Sequence, residues 1–257
     1  MSQPETAPTQ PEIVSRLLAE LGDAKAATDV LVMAARRFPD RVAFASSLGL
    51  EDQVLTHMIV EAKLDIPIFT LDTGRLFPET YDLIDRTSKR YGVTIHTYFP
   101  AAAEVEKMVD RDGVNLFRES IEARKRCCEV RKILPLRRAQ LELDAWVCGL
   151  RTGQGATRQQ VEVVEWDNLA DMVKINPLAD WTEQTVREYV DEHDVPYNVL
   201  HDQGFPSIGC APCTRAVAAD EDARAGRWWW EAADHRECGL HHRGAGAEPP
   251  ATVQPGS

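Results

Sequence analysis

The sequence predicts an α/β protein built on a single parallel sheet with helices on both faces. Short apolar runs alternate with segments of helical periodicity from about residue 41 onward, which is the pattern of such a sheet. A length of 257 residues, 44% of them hydrophobic, suits one domain of this kind with additional segments. Beyond about Asn198 the alternation stops, and glycine, proline, cysteine and tryptophan become frequent. We therefore expect the C-terminal segment to fold over the sheet domain or to be partly mobile.

Each predicted element has a local signal. The run at residues 41–46 is apolar and ends in small residues, which indicates a strand entering a loop. Pro78 opens a helix because proline suits the first helical position, and Thr182 is a suitable helix N-cap. The predicted helices cover residues 13–21, 24–38, 51–63, 78–91, about 114–143 and 182–193, and the predicted strands cover residues 41–46, 66–71, 93–99, 145–150 and 171–175.

Three loops are candidates for ligand binding, because ligands of such sheets bind outside the carboxyl ends of the strands. They cover residues 46–52, 72–77 and 151–158. In the first loop, Ser46, Ser47 and Gly49 precede a helix, where backbone donors could bind a phosphate or a ribose. In the second loop, Asp72, Thr73, Gly74 and Arg75 offer a carboxylate for ribose hydroxyls and a glycine for close approach, or else form an ordinary capped turn.

Composition excludes some classes of function. The formal net charge of −12 argues against nucleic acid as a partner, since duplex binding needs a basic face. No run approaches the ~20 apolar residues of a membrane span. The first ten residues are neither basic nor apolar, so we predict a cytoplasmic protein with reduced thiols. Six cysteines in that compartment indicate metal or redox chemistry more than disulfides.

Four of the cysteines form two pairs, Cys127–Cys128 and Cys210–Cys213. Four thiolates can hold zinc or an iron–sulfur cluster. The adjacent pair suits a zinc knuckle poorly, because neighbouring side chains on a helix diverge by about 100°. Residues 118–138 contain eight basic and three acidic side chains, which favours an anion or cluster site over a plain solvated face. Coordination chemistry alone prefers a cluster only modestly, and simple burial of Cys127 or Cys128 stays open.

The other two cysteines differ from each other in setting. Cys148 lies in an apolar strand, and we predict that it is buried and has no role. Cys238 has His235, Arg236 and His241 nearby, which favour the thiolate. A reactive thiol, a fifth metal ligand and an incidental cysteine are all compatible with this local sequence.

Five segments together resemble the assimilatory sulfonucleotide reductases. They are LDTGRLFPET at residues 71–80, CCEVRK at 127–132, GCAPCTR at 209–215, GRWWWE at 226–231 and ECGLH at 237–241, and similarity runs from about residue 43 to 241. The resemblance implies a sheet domain of the adenine nucleotide alpha-hydrolase-like type. Members of this family with both cysteine pairs usually reduce adenosine 5′-phosphosulfate (APS), whereas members without them use the 3′-phosphorylated nucleotide (PAPS).

Carried over position by position, the resemblance implies specific roles. It makes Cys127, Cys128, Cys210 and Cys213 the ligands of a 4Fe–4S cluster, Cys238 the nucleophile, Lys132, Arg224 and Arg227 catalytic, and Arg158 substrate-binding. It also implies an S-sulfocysteine intermediate, a thioredoxin or glutaredoxin partner, and a place in sulfate assimilation towards cysteine. The expected organisation is a tail at residues 1–10, a nucleotide-binding domain at 11–200, a cluster and catalytic segment at 201–243, and a tail at 244–257.

Alternatives stay open at this point. They are a PAPS reductase, an enzyme that activates a substrate with ATP as in tRNA thiolation, and a non-catalytic iron–sulfur redox sensor. The sequence also leaves open whether the chain forms a homo-oligomer. Residues 151–156 and 124–126 depart from the usual family pattern, which affects the expected substrate contacts more than the reaction.

Overall fold

The structure, a computed structural model, describes residues 9–23, 26–154, 160–218 and 220–232. Within these ranges the α-helices are α1 (Gln10–Leu21), α2 (Ala27–Arg37), α3 (Leu50–Glu61), α4 (Pro78–Tyr91), α5 (Ala102–Asp112), α6 (Ile121–Cys128), α7 (Leu134–Gln140) and α8 (Glu183–Glu192). The strands are β1 (Val42–Ala45), β2 (Ile68–Leu71), β3 (Ile95–Tyr98), β4 (Ala145–Val147), β5 (Val164–Asp167) and β6 (Met172–Ile175).

The strands form one sheet in the order β3-β2-β1-β4-β6-β5. Four of the five neighbouring pairs are parallel, with Phe44 opposite Ile68 in β2 and opposite Val147 in β4. Only the pairing of β5 with β6 is antiparallel within the described chain. The predicted α/β class is therefore confirmed. The parallel sheet has one antiparallel edge strand, β5, which the sequence analysis did not predict.

The central strands are apolar because both of their faces are covered. Successive side chains of a strand point to opposite faces. Phe44 and Val147 accordingly pack in the larger core with α2, α3 and α8, while Ala43 and Trp146 pack on the other face with Leu136 of α7. Helices therefore cover both faces of the sheet, as predicted.

The predicted helix at residues 114–143 is interrupted. A 3₁₀ turn at Leu116–Arg118 precedes α6, and a π-helical turn at Glu129–Ile133 separates α6 from α7. The Ser120 hydroxyl caps α6 by accepting a hydrogen bond from the Ala123 amide at 3.1 Å. Helix α5 was not predicted.

The C-terminal segment packs against α5 and α6. Phe117, Cys127, Cys213 and Trp228 share a third apolar cluster with Met108 of α5. The described part of this segment thus folds over the sheet domain, which was one of the two expectations.

The ends of the chain lie largely outside the described residues. This holds for residues 1–8 and for the predicted tail at residues 244–257. The predicted N-terminal tail overlaps α1, because Gln10 is helical and the Thr9 amide donates to the Glu12 carboxylate at 2.7 Å. Among the described helices, none combines the length and the apolar character needed to cross a bilayer.

Candidate active site

A cavity of about 230 Å³ lies at the carboxyl ends of β1 and β4, between the loops that follow these two strands. Strands β1 and β4 are neighbours, but β1 continues to β2 on one side and β4 pairs with β6 on the other. The loops after β1 and β4 therefore diverge, and such a switch point is where open α/β sheets bind ligands. Among the predicted site residues, those that line this cavity are Ser46, Ser47, Gly49, Thr73, Lys132, Cys210, Arg224 and Arg227.

The loop after β1 is held by its own hydrogen bonds. The Ser46 hydroxyl accepts from the Leu48 amide at 3.2 Å. The Ser47 amide and hydroxyl both donate to the Asp52 carboxylate at 2.6 Å. Gly49 is the N-cap residue of α3. The two serine side chains therefore shape the loop as well as line the cavity.

The Asp72 carboxylate in the turn after β2 makes hydrogen bonds within the protein. The buried Asp72 carboxylate accepts from the Gly74 amide at 2.7 Å and from the Tyr81 hydroxyl at 2.9 Å. Gly74 has a φ of 70°, which favours glycine. Asp72, Gly74 and Arg75, which all fall in the described ranges, are absent from the lining of the large cavity. This geometry gives Asp72 the capped-turn role that the sequence left open.

The four paired cysteines line a second, smaller cavity. Cys127 and Cys128 end α6 just before the π-helical turn, and Cys210 and Cys213 lie at the two ends of one 3₁₀ turn. Adjacent helical side chains diverge, yet both cysteines of the first pair reach this cavity. The π-helical turn next to them is of a kind often found at functional sites. The cationic residues that line the same cavity are Arg75, Arg124, Arg131, Lys132 and Arg227.

The protonation of these thiols follows from burial. Burial raises the pKa of Cys127, and the positive charge of the Arg131 guanidinium partly offsets this increase. Burial, with Cys210 and Cys127 nearby, raises the pKa of Cys213 to about 12. A metal centre bound here would have to displace these protons.

The arrangement of the four cysteines bears on which metal centre they could hold. In the described part of the chain, no three His, Cys, Asp or Glu side chains come close enough together to hold one metal ion. Four thiols spread around one cavity nevertheless match the donor set of an iron–sulfur cubane. The cationic lining would offset the negative charge of four thiolates.

Backbone pairing places the C-terminal segment over both cavities. Arg215 donates its amide to Gly226 at 3.0 Å, and Trp228 donates its amide to Cys213 at 3.1 Å. A Cβ at Gly226 would lie 2.2 Å from the Arg215 carbonyl oxygen, so this approach requires glycine. The pairing holds Arg227 beside the cysteines.

Arg227 is buried and held in place by its surroundings. Its Nη1 donates to the Ile208 carbonyl at 3.2 Å and to the Ser207 hydroxyl at 3.4 Å. The guanidinium also lies 4.8 Å from the centre of the Trp228 ring. A Cβ at Gly209 would be 2.1 Å from the Arg227 Nη2, so only glycine leaves room for this arginine.

The two cavities share a wall. Lys132, Cys210, Arg227 and Trp228 line both of them. The Thr73 hydroxyl lies 3.2 Å from the Cys210 Sγ. A ligand in the large cavity would therefore meet cationic groups that also border the four cysteines.

Two predicted residues, Arg158 and Cys238, lie outside the described residues. Cys148 is buried as predicted, and its thiol donates to the Asn176 side-chain oxygen at 3.3 Å.

Several residues that border the two cavities were not predicted from the sequence. Asp52 and Gly149 line the large cavity and are hydrogen-bonded to each other. Arg131 lines the cysteine cavity, and Glu231 pairs with Arg124, which also lines it. Arg131 and Glu231 fall inside segments already singled out, so their position was a usable signal. Nothing in the sequence reveals that Glu231 is buried.

Fold and cavity together define an α/β protein with a ligand site at a topological switch point and a cationic wall, formed by Lys132, Arg224 and Arg227. Comparison with known proteins agrees with this class. Residues 41–216 match the phosphoadenosine phosphosulfate reductase domain. The chain is 50% identical to the adenosine 5′-phosphosulfate reductase of Allochromatium vinosum, covering 85% of each protein. It is 51% identical to that of Burkholderia cepacia, over 79% of this chain and 81% of the relative.

Solved structures show the same fold. A crystal structure of phosphoadenylyl-sulfate (PAPS) reductase from Candida auris superposes with a TM-score of 0.69 at 29% identity, over 82% of this chain and 99% of that one. An FMN adenylyltransferase from Candida glabrata shares the fold alone, with a TM-score of 0.53 at 17% identity, over 96% of this chain and 82% of that one. The chain therefore belongs to the phosphoadenosine phosphosulfate reductase family of oxidoreductases.

Proposed function

We propose that this protein reduces APS to sulfite and AMP in sulfate assimilation. The observation that carries the proposal is the convergence of Lys132, Arg224 and Arg227 on one cavity at the switch point of the sheet. The substrate has an anionic sulfate–phosphate anhydride, and its reaction with a thiolate brings two negative groups together. Fixed cations lower the cost of that approach and stabilise the departing phosphate. Relatives at about 50% identity carry this activity in their names.

The charge of the cavity supports one orientation of the nucleotide. At the start of α3, Glu51 and Asp52 line the cavity and make that wall unsuitable for a phosphate. The Arg151 Nε donates to the Glu51 carboxylate at 2.7 Å, so this cation is already paired. We place the phosphosulfate at the cationic wall and the nucleoside towards α3. The same charges disfavour the additional 3′-phosphate of PAPS.

Cys238 is the proposed nucleophile. Its thiolate attacks the sulfur of APS, the bond from that sulfur to the phosphate oxygen breaks, and AMP leaves with the electron pair. The product on the enzyme is S-sulfocysteine. Lys132, Arg224 and Arg227 hold the anhydride and stabilise the charge that develops on the leaving phosphate.

A dithiol such as thioredoxin or glutaredoxin completes the reaction. Its thiolate attacks the Cys238 sulfur, sulfite leaves, and a mixed disulfide forms. The second thiol of the reductant resolves this disulfide, so the reductant leaves oxidised and the Cys238 thiol is restored. The proposed setting is the cytoplasm, where such reductants keep thiols reduced.

Cys127, Cys128, Cys210 and Cys213 are the proposed ligands of a 4Fe–4S cluster. Their position around one cavity with a cationic lining supports this assignment. When bound, such a cluster supplies structural bracing and a local charge beside Lys132. We assign residues 11–200 to nucleotide binding and residues 201–243 to the cluster and the chemistry.

A side-by-side assay tests the proposal. The full-length protein, purified without oxygen, is analysed for iron and sulfide and then supplied with APS or PAPS and reduced thioredoxin. We expect sulfite from APS and little from PAPS. Faster sulfite formation from PAPS would identify PAPS as the substrate. Bound iron without sulfite from either nucleotide would indicate a redox sensor.

Two lysine variants sharpen this test. Lys132→Ala removes a cation of the cavity and should lower kcat/KM for APS on the order of 100-fold. Lys125→Ala removes an exposed lysine of α6 that lines neither cavity and should have little effect. Equal kinetics of the two variants would remove Lys132 from the mechanism.

A further inference from the structure

We propose that Asp52 is a positioning residue whose carboxylate holds the loops after β1 and β4 together around the nucleotide cavity. One of its oxygens accepts from the Ser47 amide and hydroxyl at 2.6 Å. The other accepts from the Gly149 amide at 3.1 Å. The proposal rests on the proposed function only in taking the ligand of this cavity to be APS.

The topology of the sheet explains why such a link is needed. The loops after β1 and β4 leave neighbouring strands and then diverge, and in the described part of the chain the pairing of β1 with β4 ends at Phe44 and Val147. Asp52 lies in the first turn of α3 and is only 6% exposed. It therefore bridges two loops that lie about a hundred residues apart in sequence, and that both line the cavity.

Gly149 shows how closely the second loop approaches. A Cβ at this position would lie 2.3 Å from the Asp52 Oδ1, closer than side-chain contacts allow. The carboxylate is therefore the nearest of the groups that exclude a side chain here, followed by the Glu51 Cβ at 3.1 Å and the Asp52 amide nitrogen at 3.2 Å. Replacing Asp52 by a small residue would remove the atom with the closest contact.

The arrangement also defines what Ser47 does. Both of its donors point to Asp52, so its amide and hydroxyl hydrogens are already used within the protein. Its contribution to ligand binding comes through the shape of the loop. Asp52 controls that shape without itself needing to touch the reacting atoms.

Burying the Asp52 carboxylate disfavours its charged form, and this free-energy cost supports a functional role. Burial raises the pKa of Asp52 to about 6, although the Ser47 and Gly149 donors lower it. A group placed only for stability would gain from being neutral or exposed. Here a buried charge is retained where it joins two walls of a binding site.

Hydrogen exchange tests the link without any ligand. In Asp52→Asn one of the two acceptor oxygens is replaced by an NH₂ group, which donates and cannot accept. Either Ser47 or Gly149 therefore loses its acceptor. Exchange at the loops containing Ser47 and Gly149 should accelerate at least tenfold in this variant. The matched control is Asp65→Asn, which alters an exposed aspartate beyond the end of α3.

Nucleotide binding gives the second readout. Measured in a Cys238→Ser background, which should bind APS without turning it over, Asp52→Asn should raise the Kd for APS about tenfold or more. In the active protein KM should rise in parallel while kcat changes less than threefold. A residue needed only for folding would lower the active fraction and leave both KM and Kd unchanged.

A double-mutant cycle gives the most specific result. Gly149→Ala should weaken APS binding strongly in the otherwise wild-type chain and clearly less in Asp52→Ala, because the closest clash is then gone while the 3.1 Å and 3.2 Å contacts remain. Unchanged exchange in both loops, or additive effects of the two substitutions, would overturn the proposal. If no variant binds APS, the proposed function fails, and the exchange measurement still decides the role of Asp52.

Discussion

Arg124 and Glu231 form a buried ion pair with two hydrogen bonds. The arginine Nε lies 2.9 Å from the glutamate Oε1, and its Nη2 lies 2.8 Å from Oε2. The two side chains are 0% and 3% exposed. The Arg124 guanidinium also lies 4.8 Å from the centre of the Trp228 ring. This pair joins the helix that carries Cys127 to the segment that precedes Cys238 in sequence.

Removing one partner of this pair should be strongly destabilising. In Glu231→Ala the Arg124 charge would stay buried without its carboxylate, which typically costs about 3–5 kcal/mol of unfolding free energy. Denaturant unfolding of the variant and the wild type measures this difference. The matched control is Asp85→Ala, which removes an exposed carboxylate paired with Lys89 and should cost less than about 1 kcal/mol. Similar losses for the two variants would contradict a special role for the buried pair.

Gly209→Ala should act through Arg227. The added Cβ would occupy the space of the guanidinium, so this end of the Arg227 side chain must shift from the place where it borders both cavities. We expect APS-dependent sulfite formation to fall on the order of 100-fold, as on loss of one charge-stabilising donor. The double variant Gly209→Ala with Arg227→Ala should be little worse than Arg227→Ala alone. Independent, multiplying losses would show that Gly209 serves another purpose.

Iron binding should depend on the paired cysteines and not on cysteines in general. Cys213→Ser removes one of four proposed thiolate ligands, so most of the iron should be lost on anaerobic purification. Cys148→Ser should keep its iron, because Cys148 is buried in the sheet and bonds to Asn176. Iron and sulfide analysis of both proteins checks this expectation. Equal iron in the two variants would place the metal elsewhere.

Asp52 should make stability depend on pH. Its pKa is about 6 in the folded state against 3.8 for a free aspartate, so between these values the folded protein holds a proton that the unfolded chain has released. Stability contributed by this group is therefore present at low pH and lost as pH rises through about 6. The titratable and charged groups near it are Glu51, which also raises the pKa, Arg151, which pairs with Glu51, and the buried Cys148 thiol just after β4, whose own pKa is raised to about 12 by burial so that it stays neutral.

The Asp52→Asn variant isolates this effect. Relative to the variant, the wild type should lose on the order of 3 kcal/mol of unfolding free energy between pH 4 and pH 7. Denaturant unfolding at several pH values measures the difference. A wild type that gains stability relative to the variant over this range would contradict a raised pKa.

Much of the fold could be predicted because its strands are apolar runs. Strands β1 and β2 are short, almost continuously buried runs followed by turn signals, and their length and flanking residues identify them as strands. Strand β5 was missed because its sequence, VEWD, includes two acidic residues that an edge strand tolerates. Helix α5 was missed although Val105, Met108 and Val109 recur at the i, i+3, i+4 spacing of a helix, so its apolar stripe was a usable signal.

The parts of the site that depend on residue type could be predicted from the sequence. The parts that depend on contacts between distant segments of the chain could not. The cysteine pairs and Lys132 were candidates because of their thiol and amino groups and the family resemblance. The structure brings them to adjoining cavities. The capped turn at Asp72 was one of two interpretations that the sequence offered, because its Gly74 donor lies two residues away. The use of Asp52 as a bridge depends on the Gly149 amide, which lies on another loop. Sequence spacing does not contain that information.

The central claim is that Cys238 takes the sulfonyl group from APS, and peptide mapping tests it most directly. The full-length protein is incubated with APS without oxygen or dithiol, digested, and analysed by mass spectrometry alongside Cys238→Ser. We predict one SO₃ group on the peptide that contains Cys238, an equal amount of AMP, and neither product from the variant. An SO₃ group on another cysteine, or sulfite and AMP released by Cys238→Ser at the wild-type rate, would contradict the account.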